Sequence, residues 1–200
     1  MASQGPLSGG TFADDATVGT VAWTNPSNAG ASDDVYAVVV LTVAGSQLVS
    51  HYLKATNFGF SIPTGATING IVVEIERKTD NAFIKDNAVR IIKGGNIGTT
   101  DKSLVANWSG TEAYFTYGSS SDLWGETWTA DDINASTFGV GLSVIFNGGT
   151  TSTNSVDHIR ITVYYTAAVG GGTRISTTGR IATPTRIVTP TRLATTRNLI

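Results

Sequence analysis

Several groups of residues in this chain have types and spacings that could do chemistry. Paired carboxylates stand at Asp14–Asp15 and Asp33–Asp34, and clustered carboxylate oxygens are what a hard cation such as calcium takes. Asp is equally an ordinary turn and cap residue. Neither pair has EF-hand-like spacing, so the turn reading is preferred and no metal is expected. Glu74 and Glu76 lie two apart on a predicted strand and so share one face. With Arg77 and Lys78 beside them, they read as surface charge rather than a catalytic acid pair. His51 has no carboxylate or second histidine near it in sequence and reads as a structural histidine. Trp108, Trp124 and Trp128, with Tyr114 and Tyr117, are the aromatics a glycan-stacking surface would need. The competing reading has them sealing one end of a core, because indoles bury large areas. No nucleophile motif, metal-ligand cluster or convincing acid pair is present, so no enzyme, no catalytic residue and no cofactor is expected. The absence of cysteine excludes disulfides and thiolate metal sites.

These residues must be positioned by strands. Charged residues are 14% of the chain and Gly numbers 23, a balance that suits a turn-rich β protein rather than a helical one. Val35–Val43 is continuous β-former and predicts a strand buried on both faces. Leu48–Ala55 alternates, as do Ile71, Val73 and Ile75 against the water-facing Glu74, Glu76 and Lys78. Ala88–Lys93, Ser103–Ala106, Tyr114–Tyr117, Phe138–Phe146 and Val156–Thr166 are further strands. In the last of these, Ile159, Ile161, Val163 and Tyr165 face in, and His158, Arg160, Thr162 and Tyr164 face out. The single helical signal is at Thr129, which can cap a short turn beginning at Ala130, with Asp131 and Asp132 at its positive end. Strands at intervals with Gly/Asn/Ser turns predict an all-β fold: an antiparallel, jelly-roll-like β-sandwich over residues 1–166.

A Gly-rich hinge, 167–172, leads to a different kind of sequence. Residues 173–200 carry a six-residue repeat, with Arg174, Arg180, Arg186 and Arg192 in one phase and Ile175, Ile181, Ile187 and Leu193 in the next. Six is a multiple of the extended periods of two and three but not of the helical one, so each set shares one edge of an extended segment. Pro184 and Pro190 favour the same reading. Such an arm spans on the order of 85 Å. Its regular aliphatic edge predicts ordering against another subunit, and the eight arginine and aliphatic positions are its anchoring residues. Residues 1–166 hold eight of the thirteen basic residues and all fifteen acidic ones, a formal −7, whereas the five arginines of 167–200 give +5. A basic arm beside an acidic body suits docking on a neighbouring copy. Nucleic acid fits less well, because the arginines come without lysines or stacking aromatics.

The stretches GTFADDATVGTVAWTNPSNAGASDDVYA, GFSIPTGATINGIVVEIER, SSDLWGETWTADDINASTFGVGLSV and VDHIRITVYYT together resemble a β-sandwich module of tailed-phage virion proteins and some large bacterial surface proteins. The resemblance covers roughly residues 9–166 and brings no catalytic residue with it. It implies a display or assembly module, and the expected role is a structural virion protein of the capsid decoration or cement type. A tail or fibre subunit and a carbohydrate-binding or adhesin module are the alternatives. The expected partners are further copies of the chain and other virion structural proteins, with a host surface glycan as a further candidate and no membrane. The N-terminus has no signal-peptide pattern, so the expected location is the virion, after synthesis in the host cytoplasm.

Overall fold

The computed structural model describes residues 1–42, 47–148 and 150–168. The hexapeptide arm and all eight of its expected anchoring residues lie outside the described residues.

Among the described residues eleven strands form two sheets. One contains β1 (Ala2–Ser8), β3 (Ala37–Thr42), β6 (Thr67–Thr79), β9 (Ala113–Ser119) and β11 (Thr151–Thr166). The other contains β2 (Thr11–Asp15), β4 (Leu48–Val49), β5 (Tyr52–Thr56), β7 (Ile84–Lys93), β8 (Asn96–Ile97) and β10 (Gly139–Phe146). Every pairing between these strands is antiparallel. With β4–β5 taken as one broken strand and β7–β8 as a hairpin, the chain switches sheet at each connection. The inner faces meet in a core of Val39, Leu41, Ile71, Val73, Ile75, Val89, Ile91, Val140, Leu142, Ile159, Ile161 and Val163, all shut from solvent. This is the antiparallel β-sandwich of jelly-roll kind that the alternating patterns require. Among the described residues no helix is long and apolar enough to cross a membrane.

Three local expectations are corrected. β3 is buried on one face and not on two: Ala37, Val39 and Leu41 face the core, while Val40 is 47% exposed. Among the named strands it pairs with β11, and its other edge is bridged at Val38 by Thr24; its outer face is left uncovered at Val40. Leu48–Ala55 is interrupted, because Val49 pairs with Ile145 and Leu53 with Leu142. Ser50, His51 and Tyr52 therefore oppose just Ser143 and Val144, a bulge in which Ser50 turns inward and donates to the His51 carbonyl at 2.8 Å. Ser103–Ala106 is not a strand. Its first two amides are taken by side chains instead, Ser103 N–H by Asp101 at 2.8 Å and Leu104 N–H by Asp86 at 2.9 Å. The helical turn is where the caps place it: α1 (Ala130–Asn134) begins after Thr129, whose hydroxyl accepts from the Asp132 amide while the Asp132 carboxylate accepts from the Thr129 amide.

The core also contains a charge pair. Arg77 on β6 is 1% exposed, with its guanidinium carbon 4.3 Å from the Trp108 ring centre and 3.8 Å from that of Phe115. Its Nε donates to the Tyr117 hydroxyl at 3.1 Å, and Nη2 lies 3.6 Å from Asp86 Oδ1 on β7. Asp86 in turn accepts from Trp108 Nε1 at 2.8 Å and from the Tyr117 hydroxyl at 3.1 Å. Burial, then the Asp86 charge, pushes the Tyr117 phenol far above its ordinary value, so that it stays a donor.

Candidate functional site

Two places on the surface gather polar groups around an aromatic. The first lies on the outer face of the β1/β3/β6/β9/β11 sheet and is set by how β11 is covered. β3 pairs with β11 from Thr151 to Val156, and β1 pairs with it from Arg160 to Tyr165. Between them, residues 157–159 lack a strand partner on that side apart from a single bridge from Gly30 to His158. On the other side, Val156 pairs with Arg77 and His158 with Glu76, so Asp157 is the extra residue of a bulge. Bulges of this kind re-aim a side chain. The loop before β3 closes the gap, and the Asp34 amide donates to Asp157 Oδ2 at 3.3 Å. Asp34 itself has φ 64, a conformation that Asp tolerates better than most residues.

Asp34, Glu112 and Asp157 each bring a carboxylate oxygen to within 4.8 Å of the others. The Tyr36 hydroxyl lies 2.9 Å from Asp34 Oδ1 and 2.9 Å from Glu112 Oε2. The Lys78 ammonium donates to the Tyr36 oxygen at 2.6 Å and to Glu112 Oε2 at 2.8 Å. The Lys78 bond would lower the Tyr36 phenol, but burial and the Glu112 and Asp34 carboxylates outweigh it and push it up to about 12. Asp157 is 2% exposed, and burial, with the Glu112 and Glu76 charges, raises its carboxyl above the ordinary range.

Beside this cluster, His158 is hydrogen-bonded through both ring nitrogens, Nε2 to Ser8 Oγ at 2.8 Å and Nδ1 to the Tyr114 hydroxyl at 2.7 Å. Burial, then the Arg160 charge, holds the imidazole below its ordinary value. A serine on a histidine suggests a nucleophile and its base, but the rest of that machinery does not assemble around it. Tyr114, rather than a carboxylate, orients the ring. The Gly9 and Gly10 amides that follow Ser8 are given to the carbonyls of Ile159 and Thr56, so neither is available to an oxyanion. Glu74 is held by Arg160, whose Nε and Nη2 donate to its two oxygens at 3.0 and 3.2 Å. Glu74 is accordingly a surface ion pair, whereas Glu76 has no ion-pair partner among the described residues and keeps a buried, unpartnered Oε2.

The remaining sequence-selected residues fall as follows. Asp14 accepts from the Trp23 amide at 2.8 Å and pairs with His51 Nδ1 at 2.7 Å. His51 is thus a structural histidine, with a carboxylate partner that sequence distance concealed. Asp15 is taken by Thr17 and by Lys54 at 3.1 Å. The three tryptophans separate. Trp108 and Trp124 are 3% and 0% exposed, so as glycan contacts they are corrected to core residues. Trp124 donates its indole N–H to the Ile71 carbonyl at 3.0 Å. It fits there because Gly118 (φ +75) is opposite, where a Cβ would come within 2.7 Å of the indole nitrogen.

Trp128 alone of the three keeps part of its ring in solvent. Its Nε1 donates to the Leu123 carbonyl at 2.9 Å, and its ring packs edge-on against Phe138 with centres 5.4 Å apart. It lines a shallow depression of about 330 Å³ with Thr64, Thr67, Thr129 and Asp131. This is the second place. Its aromatic was singled out in the sequence, and Thr129 and Asp131 lie beside it there, whereas Thr64 and Thr67 come from the β6 approach, more than 60 residues away in the chain.

No family model matches the chain, and no curated protein matches it. Among solved structures, one described as "CBM4 structure and function" is similar at 15% sequence identity with a TM-score of 0.37, over 75% of this chain and 92% of its own length. That is a distant likeness, and it carries no residue and no activity across to this chain.

Proposed function

We propose that the chain is a non-catalytic β-sandwich module that works by attachment, with a glycan as the ligand of the Trp128 depression. The observation that carries this reading is the depression itself. It offers an indole already fixed by its own hydrogen bond and by Phe138, beside threonine hydroxyls and the Asp131 carboxylate. An apolar face with a few convergent polar groups is what a sugar ring needs, because its C–H face stacks and its hydroxyls bond outward. Fixing the indole beforehand lowers the entropy lost on binding. The test is binding to a panel of defined polysaccharides, followed by calorimetry on any that is retained. Trp128→Ala should weaken binding about tenfold or more while the melting transition stays cooperative. If the panel retains nothing, or the variant binds as the parent does, the glycan reading falls.

A second reading, a structural virion subunit of the decoration type held by its C-terminal arm, is favoured by the division of charge between −7 in residues 1–166 and +5 in 167–200. In that setting the arm lies on the acidic face of a neighbouring subunit, with its aliphatic edge buried and its arginines setting register. Replacing Arg180, Arg186 and Arg192 with Gln should lower incorporation into particles and flatten its salt dependence. Unchanged incorporation would remove this reading.

A further inference from the structure

The cluster at the β11 bulge is not electrostatically complete. The single proton of the Tyr36 hydroxyl can serve either Asp34 Oδ1 or Glu112 Oε2, yet both lie 2.9 Å away. With that proton on Asp34 Oδ1, Glu112 Oε2 is still met by Lys78 at 2.8 Å, so the shortfall lies at other oxygens. Two further oxygens, Asp157 Oδ1 and Glu112 Oε1, are shut from solvent with no hydrogen-bond partner. Asp157, at 2% exposure, is buried as deeply as residues of the apolar core, although it lies in a polar cluster. An unpartnered carboxylate oxygen at that depth is costly unless something positive meets it. Lys78 does not supply this, since its ammonium bonds the opposite oxygen of Glu112 and the tyrosine. Three carboxylates against that one ammonium leave a formal charge of −2. Glu76, with its own buried and unpartnered Oε2, adds to the same field.

We propose that Asp34, Glu112 and Asp157 hold a calcium ion, which takes the free oxygens of Glu112 and Asp157 and shares Asp34 with the Tyr36 hydroxyl. Oxygens within 4.8 Å of one another are bridged by calcium–oxygen distances of about 2.3–2.6 Å. Magnesium, at about 2.0–2.1 Å with rigid octahedral demands, suits loop-borne carboxylates less well. The ion cross-links three segments distant in sequence: the loop before β3, the residue preceding β9, and the bulge of β11. It thereby closes the gap between β1 and β3 where β11 has no strand partner. Sequence reading expected no metal. Of the two aspartate pairs it considered, one supplies a single ligand, and the other two ligands stand 78 and 123 residues further on. The inference stands apart from the glycan reading, since it uses no residue of the Trp128 depression.

The test uses the full chain stripped with a chelator and titrated with CaCl2. Calorimetry should show one ion per chain, in the range of about 10⁻⁴–10⁻³ M or tighter, as for other modular sites. At 10 mM CaCl2 a site with Kd near 10⁻⁴ M should raise Tm by about 5–10 °C. Glu112→Gln and Asp157→Asn, separately, should each abolish the calcium-dependent rise. Asp14→Asn with Asp15→Asn should leave it intact. Should Asp157→Asn fail to fold, Glu112→Gln and Asp34→Asn carry the same comparison. No heat and no Tm response at 10 mM CaCl2 overturns the proposal. So does an equal rise with MgCl2, or with NaCl at matched ionic strength, because that marks screening rather than coordination.

Discussion

Arg77 and Asp86 show at single-residue scale how far a charge can be carried into a β-sandwich. Asp86 accepts from the Leu104 amide, the Trp108 indole and the Tyr117 hydroxyl, and the Arg77 guanidinium is enclosed between two aromatic rings. Removing one partner leaves the other buried and uncompensated, so Arg77→Ala should destabilise the fold by about 3–5 kcal/mol. Urea unfolding checks this: the midpoint should fall at unchanged slope. A change of less than about 1 kcal/mol would show that the pair contributes little to stability. The inward position of Arg77 is readable in the sequence, whereas Asp86 lies outside the strand expected at Ala88–Lys93. The alternation that puts Ile71, Val73 and Ile75 inside continues to Arg77 and Thr79, and both are buried. Reading Arg77 with its charged neighbours Glu76 and Lys78, instead of with its own parity, sent it to the surface. Trp108 and Trp124 failed as glycan contacts for a related reason, since residue type says nothing about which way an indole turns.

At the scale of elements, what was legible is what local chemistry decides. The capping box of α1 could be placed from Thr129 and the two aspartates, and the parity of β6 and β11 followed from alternation. What was not legible depends on neighbours far along the chain. β3 looked doubly buried, whereas its outer face is uncovered at Val40, and Ser103 and Leu104 satisfy their amides through Asp101 and Asp86 rather than through a ladder. The cap gives a direct test. Thr129→Ala removes one of two reciprocal bonds and should cost about 1 kcal/mol, or roughly 2–4 °C in Tm for a chain of this size. The same carboxylates set the acid limit of the fold. For Asp132, burial alone would raise the carboxyl, but the Thr129 bonds and Lys93 outweigh it and hold it low. Lys102 and the Trp124 amide do likewise for Asp122, and Thr17 and Lys54 for Asp15. A carboxyl held below its unfolded value stabilises above about pH 3.8 and loses that contribution as pH falls further. Thermal melts should therefore weaken progressively below pH 4. Asp122→Asn with Asp132→Asn should flatten that loss, and an unflattened profile would assign the acid limit to other groups.

On the scale of the molecule, every strand and every core residue among the described residues lies at or before Thr166. The chain truncated after residue 168 should thus melt as one cooperative unit with the Tm of the full protein, whatever the arm does in an assembly. A molten or insoluble truncation would mean that residues beyond 168 contribute to the core. If the arm docks on a partner, a triple change of Ile181, Ile187 and Leu193 to Ser should release the protein from its assembly while leaving the sandwich folded. Equal assembly by that variant would make the arm a tether. At the opposite end of the chain, β1 covers the edge of β11. β1 is exposed along most of its length, and its side chains bury little beyond Leu7, which packs against the core. The ladder from Ala2–Tyr165 to Ser8–Arg160 holds it on β11. It behaves as a clasp. Deleting residues 1–8 would bare Arg160–Tyr165 as a row of unused amides and carbonyls, onto which a strand from another molecule can be grafted. The truncated chain should then self-associate on a sizing column, and an added peptide of residues 1–8 should return it to single molecules. Opening that clasp turns a closed sandwich into a link that can be joined to the next.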